Sequence, residues 1–201
     1  MARTTGRSPA DTRRLILDAG ARLIARRGTA VSVADIAAAA GVSKGGLLYH
    51  FPSKDDLLVD LSADLMARFR ADVERAADEE EQGPGRLTRA YIRASFADAK
   101  DSESLRDQIA LAARLMYESG AEHVAQEDAD RWRAALHDDG LDPAITRLII
   151  AAADGSNTAP LWGAVLDDAD RAALEADLLA LTYDPTSLCG SSSDTPAEKG
   201  S

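Results

Sequence analysis

The sequence predicts an all-α protein of about nine helices, and three observations lead to this fold class. Alanine is abundant in the 201-residue chain, whereas glycine and β-branched residues are sparse, and this composition favours helix. Apolar residues recur at helical spacing behind serines that are suited to cap a helix. No segment alternates apolar and polar residues over a useful length, so we expect no strand.

The first helix is predicted to begin after Ser8, which is suited to the N-cap. Pro9 then takes the first helical position and Asp11 the third, where each residue type is favoured. Two arginines suit the negative end of the helix dipole, and Gly28 suits a left-handed stop. The apolar stripe of this helix consists of Leu15, Ile16, Ala19, Leu23 and Ile24.

Two short helices are predicted next, separated by a glycine turn. Ser32 and Asp35 form a cap for the first, which ends at Gly41 after about two turns. Ser43 caps the second, which runs from about residue 44 to residue 50 and stops before a proline. Two such helices after a longer amphipathic one indicate a helix-turn-helix of the three-helix kind.

A long helix is predicted from about residue 54 to residue 80, capped by Ser53 and Asp56 and ended by a Gly-Pro-Gly segment. Pro160 leaves two alternatives open in the helical stretch that contains it: a kink in one helix, or a loop between two. The remaining helices are predicted near residues 84–100, 103–118, 121–138, 143–163 and 170–182.

The charge is distributed unevenly along the chain. Residues 1–54 contain nine basic and three acidic residues, whereas residues 55–201 contain 14 basic and 31 acidic ones. The formal net charges are therefore +6 and −17, which together give −11. The basic segment 1–54, followed by the acidic segment 55–201, predicts that the N-terminal segment binds an anionic polymer and that the rest of the chain does not. The alternative is a chance excess of arginine on a solvated helix.

Several classes of protein are not expected from this composition. The sequence contains no run of about 18 apolar residues, so we expect no membrane span. It has no apolar stretch near Met1 of the kind found in secretory signals, so we expect a cytoplasmic protein. The single Cys189 excludes a disulfide framework. His123 and Glu127 lie one helical turn apart, but two ligands are few for a metal site. We therefore expect no metal, no cofactor and no enzymatic activity.

The most specific motif lies in and around the third helix. Ile36-Ala37 and Ala40 precede the segment GVSKGGLLYHFPSK at residues 41–54, and Asp56-Leu57 follow it. This pattern resembles the DNA-binding head of the TetR/AcrR family of one-component repressors, over roughly residues 10–58. The resemblance implies a three-helix DNA-binding domain, a long connecting helix, and a helical domain that binds ligand and dimerises, with nine helices in all.

Helical phase separates the two faces of the third helix. Val42, Leu47 and Phe51 fall close enough in phase to face the core. The outer face is then left to Ser43, Lys44, Gly45, Tyr49 and His50.

A major groove admits such a helix with its N-terminal residues toward the base edges. Ser43 and Lys54 lie at helix starts, where the dipole favours a phosphate. The resemblance implies base reading at Lys44, Gly45 and Tyr49, and phosphate contact at His50 and Lys54. Packing or plain solvation remains the alternative for each side chain.

The remaining predictions concern residues 54–183. Dimer contacts are predicted on the last two helices, at Leu148, Ala152, Leu174 and Leu178, and intramolecular core is the alternative for them. The resemblance implies a small-molecule pocket enclosed by helices five to eight. Its candidate lining residues are Tyr91, Phe96, Met116, Tyr117, Trp132 and Trp162.

We thus predict a DNA-binding domain at residues 1–53, a ligand-binding and dimerisation domain at 54–183 and a disordered tail at 184–201. The function expected from this organisation is that of a homodimeric, ligand-responsive transcriptional regulator that binds a palindromic DNA operator. We expect a repressor rather than an activator. An alternative is a DNA-binding module that senses no ligand.

Overall fold

The computed structural model describes residues 8–97, 102–159, 163 and 165–185. Within these ranges the chain forms nine α-helices and no β-strand, which confirms the all-α prediction. The helices are α1 (Pro9–Arg27), α2 (Val33–Ala40), α3 (Lys44–His50), α4 (Lys54–Glu79), α5 (Arg86–Phe96), α6 (Ser102–Leu115), α7 (Ala121–His137), α8 (Pro143–Thr158) and α9 (Asp168–Tyr183).

The predicted boundaries of the later helices differ from those observed. α8 ends at Thr158 rather than at residue 163, and Pro160 lies outside the described residues, as does the predicted tail beyond residue 185. α9 begins two residues earlier than predicted because Asp167 and Asp170 form a capping box there. The Asp167 side chain accepts from the N–H of Asp170 at 2.8 Å, which fixes the first turn.

Serine caps begin the helices of the N-terminal segment, as predicted. Ser8, Ser32 and Ser53 each accept a hydrogen bond from the backbone N–H three residues later, and each is paired with an aspartate that bonds back. Gly41 adopts the left-handed conformation that ends α2, with φ 66° and ψ 32°. Gly28 differs from the prediction, because its φ of 79° is combined with an extended ψ of 175°.

The helices form two compact units. The first comprises the described residues within 1–71 and 98–133, and the second comprises those within 72–97 and 134–201. These units are groups of helices in mutual contact. The functional boundary between residues 53 and 54 stays a prediction.

The core of the first unit is built from α1, α2, α3, the start of α4 and part of α6. Ile16, Ile36, Leu47 and Phe51 are fully buried in it. The apolar face predicted for α3 is therefore confirmed at Leu47 and Phe51, while Val42 is half-buried against the same core. The sequence did not indicate the contribution of α6, whose Leu111 and Leu115 complete this core.

Ion pairs join α1 to α4 beside this core. Arg14 donates to both carboxylate oxygens of Asp64, at 2.8 Å for the longer bond, and also pairs with Asp18. Arg68 bonds the same two aspartates. Burial raises the pKa of the Asp64 carboxyl, but the hydrogen bond from Arg14 and the charges of Arg68 and Arg14 outweigh it, so that pKa lies below its ordinary value. The hydrogen bond to Asp64 in turn raises the pKa of Arg14.

In the second unit, α5 packs against α8 and α9. Asp139 caps the start of α5 from a distant part of the chain, since it accepts from the N–H groups of Leu87 and Thr88 at 3.0 and 2.7 Å. Arg89 is buried and donates to Glu80 at 3.1 Å and to the carbonyl oxygen of Pro84 at 3.0 Å. These polar contacts hold the turn between α4 and α5 in place.

Candidate nucleic-acid interface

The recognition-helix candidate is α3, and its local sequence fixes its position. The Ser43 hydroxyl oxygen accepts from the N–H of Gly46 at 3.0 Å, which starts the helix. Phe51 ends it, with its own N–H bonded to the carbonyl oxygen of Leu47 at 2.9 Å. Because Leu47 and Phe51 are fully buried, the helix is anchored along one side and its opposite side faces outward.

The outward side of α3 carries the residues predicted to read bases. Lys44, Gly45 and Tyr49 are exposed, and the Tyr49 side chain is 80% exposed. A tyrosine this exposed leaves an aromatic ring and a hydroxyl available to a partner. His50 is half-buried, and its ring meets that of Tyr49 edge-on at 5.2 Å between centroids. DNA contact by these residues stays a prediction.

The two predicted phosphate-binding residues at helix starts already make intramolecular bonds. The Lys54 ammonium donates to the carbonyl oxygen of Thr29, so it ties the start of α4 to the loop between α1 and α2. An ammonium has three N–H donors, which leaves capacity for a phosphate. Ser43 uses its hydroxyl oxygen as the helix cap, and the hydroxyl hydrogen remains a possible donor. Both groups are therefore held in place by intramolecular hydrogen bonds, and their contact with phosphate stays a prediction.

The dimer candidates differ in exposure. Leu148 is 48% exposed, Ala152 and Leu174 are half-buried, and Leu178 is buried in the core of its own unit. An exposed stripe of small residues on α9 was not predicted; it recurs at helical spacing and ends beside the exposed Tyr183. The stripe consists of Ala169, Ala172, Ala173, Ala176 and Ala180. Its signal was present in the sequence as alanines at intervals of three and four.

The pocket candidates fall into different parts of the molecule. In the second unit Tyr91 and Phe96 are buried, and the Tyr91 hydroxyl donates to Asp154 at 2.6 Å. In the first unit Met116 and Tyr117 are exposed. There, half-buried Trp132 lies under the guanidinium of Arg70 and beside Phe69. Trp162 lies outside the described residues. The described candidates are thus divided between the two units, and their role stays a prediction.

The short helices α2 and α3, joined by a turn at Gly41 and packed on the longer α1, form a helix-turn-helix, which is a DNA-binding motif. The family model "Bacterial regulatory proteins, tetR family" matches residues 16–61. The model "Tetracyclin repressor-like, C-terminal domain" matches residues 85–183. The chain belongs to the TetR family of transcriptional regulators, with a DNA-binding and a ligand-binding domain. This family consists of regulators rather than enzymes.

Individual proteins are similar to this chain in sequence or in fold. The HTH-type transcriptional regulator AcrR of Shigella flexneri is 40% identical over 62 residues, which are 30% of this chain and 29% of that protein. The match thus spans under a third of that curated relative. A transcriptional regulator of Pseudomonas aeruginosa PAO1 has a similar structure, with a TM-score of 0.70 at 22% identity, over 91% of this chain and 96% of that chain.

A second solved structure with a similar fold is that of the multidrug binding protein EbrR complexed with ethidium. It has a TM-score of 0.60 at 25% identity, over 85% of this chain and 98% of that chain.

None of the helices in the described ranges of this protein combines the length and hydropathy that crossing a bilayer requires.

Proposed function

We propose that this protein is a homodimeric repressor that binds a palindromic operator and is released from it by a small-molecule effector. The observation that carries the proposal is the exposed face of α3, with Lys44 and Tyr49 opposite the buried Leu47 and Phe51. This face can enter a major groove without any change in the packing of the helix.

Direct readout rests mainly on two side chains. Lys44, at the start of α3, can bond the acceptor atoms of guanine, and Tyr49 lies about one and a half helical turns further along with its ring and hydroxyl exposed. Gly45 brings no side chain, so it allows the backbone to approach the bases. Ser43, His50 and Lys54 then contact phosphates and fix the register.

One head supplies few base contacts, so tight and specific binding calls for two heads on a symmetric site. The exposed alanine stripe of α9 supports self-association, because small side chains let helices approach closely. On α8, Ala144, Leu148, Ala151 and Gly155 are also exposed and recur every three or four residues. Two copies that pair these stripes would bury them in an interface of four helices. Leu178 contributes indirectly, because it packs α9 against the core of its own unit.

An effector site in the second unit is supported by two buried hydroxyl groups. Ser95 on α5 and Ser156 on α8 have no hydrogen-bond partner for their side-chain oxygens in the described part of the chain. A buried polar group without a partner is costly, and a bound polar molecule would satisfy it. Tyr91 and Phe96 on α5 add aromatic surface. The ethidium complex of EbrR supports a small molecule as the effector class.

The proposal is tested by selecting DNA from a random pool with the purified protein and measuring affinity for the selected sequence over a salt series. The expected result is a palindrome whose half-sites lie about 34–36 Å apart, centre to centre. Affinity should fall steeply as salt rises, because phosphate contacts release counterions. A pool without an enriched sequence would contradict the proposal.

The dimer is tested separately by sedimentation of a variant with a charge in the alanine stripe. Ala176→Glu places a carboxylate in the proposed interface and is expected to give monomers. The matched control is Ala125→Glu on α7, an alanine that is also exposed but lies outside the stripe, which should stay dimeric. Equal behaviour of the two variants would contradict the interface.

A further inference from the structure

The first unit contains an open cleft of about 350 Å³ between α1, α4 and α6. None of the residues predicted to line a ligand pocket contributes to it. Its charged rim is formed by Asp18, Arg22, Arg26, Asp64, Arg68 and Asp107. A concave site of this size is within the range that holds small organic ligands.

The acidic groups of the cleft are all occupied by arginines. Asp18 and Asp64 each receive bonds from Arg14 and Arg68. Asp107 receives two bonds from Arg26, at 3.3 and 3.2 Å. Three carboxylates are therefore compensated by three guanidinium groups, and none of them is left to attract a cation.

Arg22 is the remaining cation of the cleft. Its side chain is exposed at the cleft, and it has no acidic partner among the described residues. The electrostatic surplus is therefore one guanidinium group, which offers a planar pair of donors that fits a carboxylate. An anion would gain this contact without displacing an existing ion pair.

Three apolar side chains and the amide of Gln108 form the rest of the wall. Leu65 of α4 and Leu111 of α6 line the cleft together with Ala21, which precedes Arg22 on α1. Leu111 is buried in the core, so this wall is a fixed part of the unit rather than a flexible loop. A ligand that fills the cleft thus needs an apolar body next to its charged group.

We propose that this cleft binds a small organic monocarboxylate, with the carboxylate on Arg22 and the apolar body against Leu65 and Leu111. The inference goes beyond the proposed function, because the site lies in the first unit and not among α5, α8 and α9. A phosphate of DNA is the other anion that Arg22 could meet. The apolar wall favours the small molecule, since a phosphodiester leaves that wall uncovered.

The experiment is calorimetric titration of the full chain, without DNA, with hexanoate as the probe. Hexanoate is expected to bind, whereas acetate lacks the apolar body and hexylammonium has the wrong charge, so neither should bind measurably. Arg22→Gln should weaken hexanoate binding by at least about ten-fold, the usual cost of a lost charge-assisted hydrogen bond. Arg27→Gln is the matched control, because Arg27 lies on the same helix and does not line the cleft.

The outcomes separate the alternatives. Binding of hexanoate that Arg22→Gln weakens and Arg27→Gln leaves unchanged supports the site. No heat with hexanoate, equal binding of acetate, or equal loss in both variants overturns it. Thermal unfolding of both variants shows that the fold is intact. Because no DNA is present, the result is independent of whether the protein binds an operator.

Discussion

Replacing Asp64 with asparagine removes the central charge of the ion-pair network between α1 and α4. Asp64 accepts three bonds, two from Arg14 and one from Arg68 at 2.9 Å. Its side chain is 18% exposed, whereas those of Arg14 and Arg68 are 40% and 49% exposed. Removing one partner of a fully buried ion pair lowers the free energy of unfolding by about 3–5 kcal/mol. Removing one partner of an exposed pair lowers it by less than about 1 kcal/mol. For this intermediate case we expect a loss of about 1–2 kcal/mol in the free energy of unfolding at neutral pH.

The pH dependence of this effect has a defined sign. The folded protein holds the pKa of Asp64 below its ordinary value, so the unfolded chain binds a proton more readily. The stabilisation by Asp64 is therefore complete above the unfolded pKa of about 3.9 and is lost as the pH falls through the folded pKa. Asparagine resembles the protonated acid, so the difference between wild type and Asp64→Asn should shrink below about pH 4.

The assay is urea unfolding followed by circular dichroism, at neutral pH and at several acidic values. Asp60→Asn is the control, because Asp60 pairs with Arg13 across an exposed contact with exposed fractions of 38% and 44%. That variant should lose no more than about 0.5 kcal/mol. Equal losses of stability in both variants, or a loss in Asp64→Asn that persists unchanged at acidic pH, would contradict this role of Asp64.

Three further predictions concern packing and local conformation. Leu115→Ala should lose about 2–4 kcal/mol of unfolding free energy in urea, because it opens a cavity in the core of the first unit. The control Met116→Ala, at the exposed neighbouring residue, should change the unfolding free energy little. In thermal unfolding, Gly41→Ala should destabilise the protein by about 1–2 kcal/mol, because Gly41 has a left-handed φ. Gly45→Ala should stabilise it slightly, because Gly45 is helical and a Cβ there meets no other atom. Tyr91→Phe should lose about 1 kcal/mol, since it removes a hydrogen bond to a carboxylate; no change in its unfolding midpoint would contradict that.

Local signals predicted the N-terminal helices well. Ser8, Ser32 and Ser43 cap helices as expected, because a cap depends on residues only two or three positions apart. The cap of α5 could not be predicted in this way. Asp139 lies about 50 residues along the chain from the N–H groups that it accepts from, and no local pattern indicates such a pairing.

The same distinction applies to the candidate sites. The inward face of α3 followed from helical phase, since Leu47 and Phe51 are anchored by the nearby core. The place of Leu111 in that core depends on packing between α1 and α6, which are far apart in sequence. For Leu178, an apolar stripe predicts burial but not whether the same chain or a second copy buries it, and the structure shows it buried within its own unit.

The most direct test of the central claim compares the affinity of wild type and Tyr49→Ala for the selected operator and for a scrambled sequence at one salt concentration. If α3 reads bases, the ratio of specific to non-specific affinity should fall by at least about ten-fold in Tyr49→Ala, while non-specific binding is retained. Tyr117→Ala, which removes a tyrosine that is also highly exposed, should keep the wild-type ratio. An unchanged ratio in Tyr49→Ala would contradict the assignment of this face of α3 as the base-reading surface.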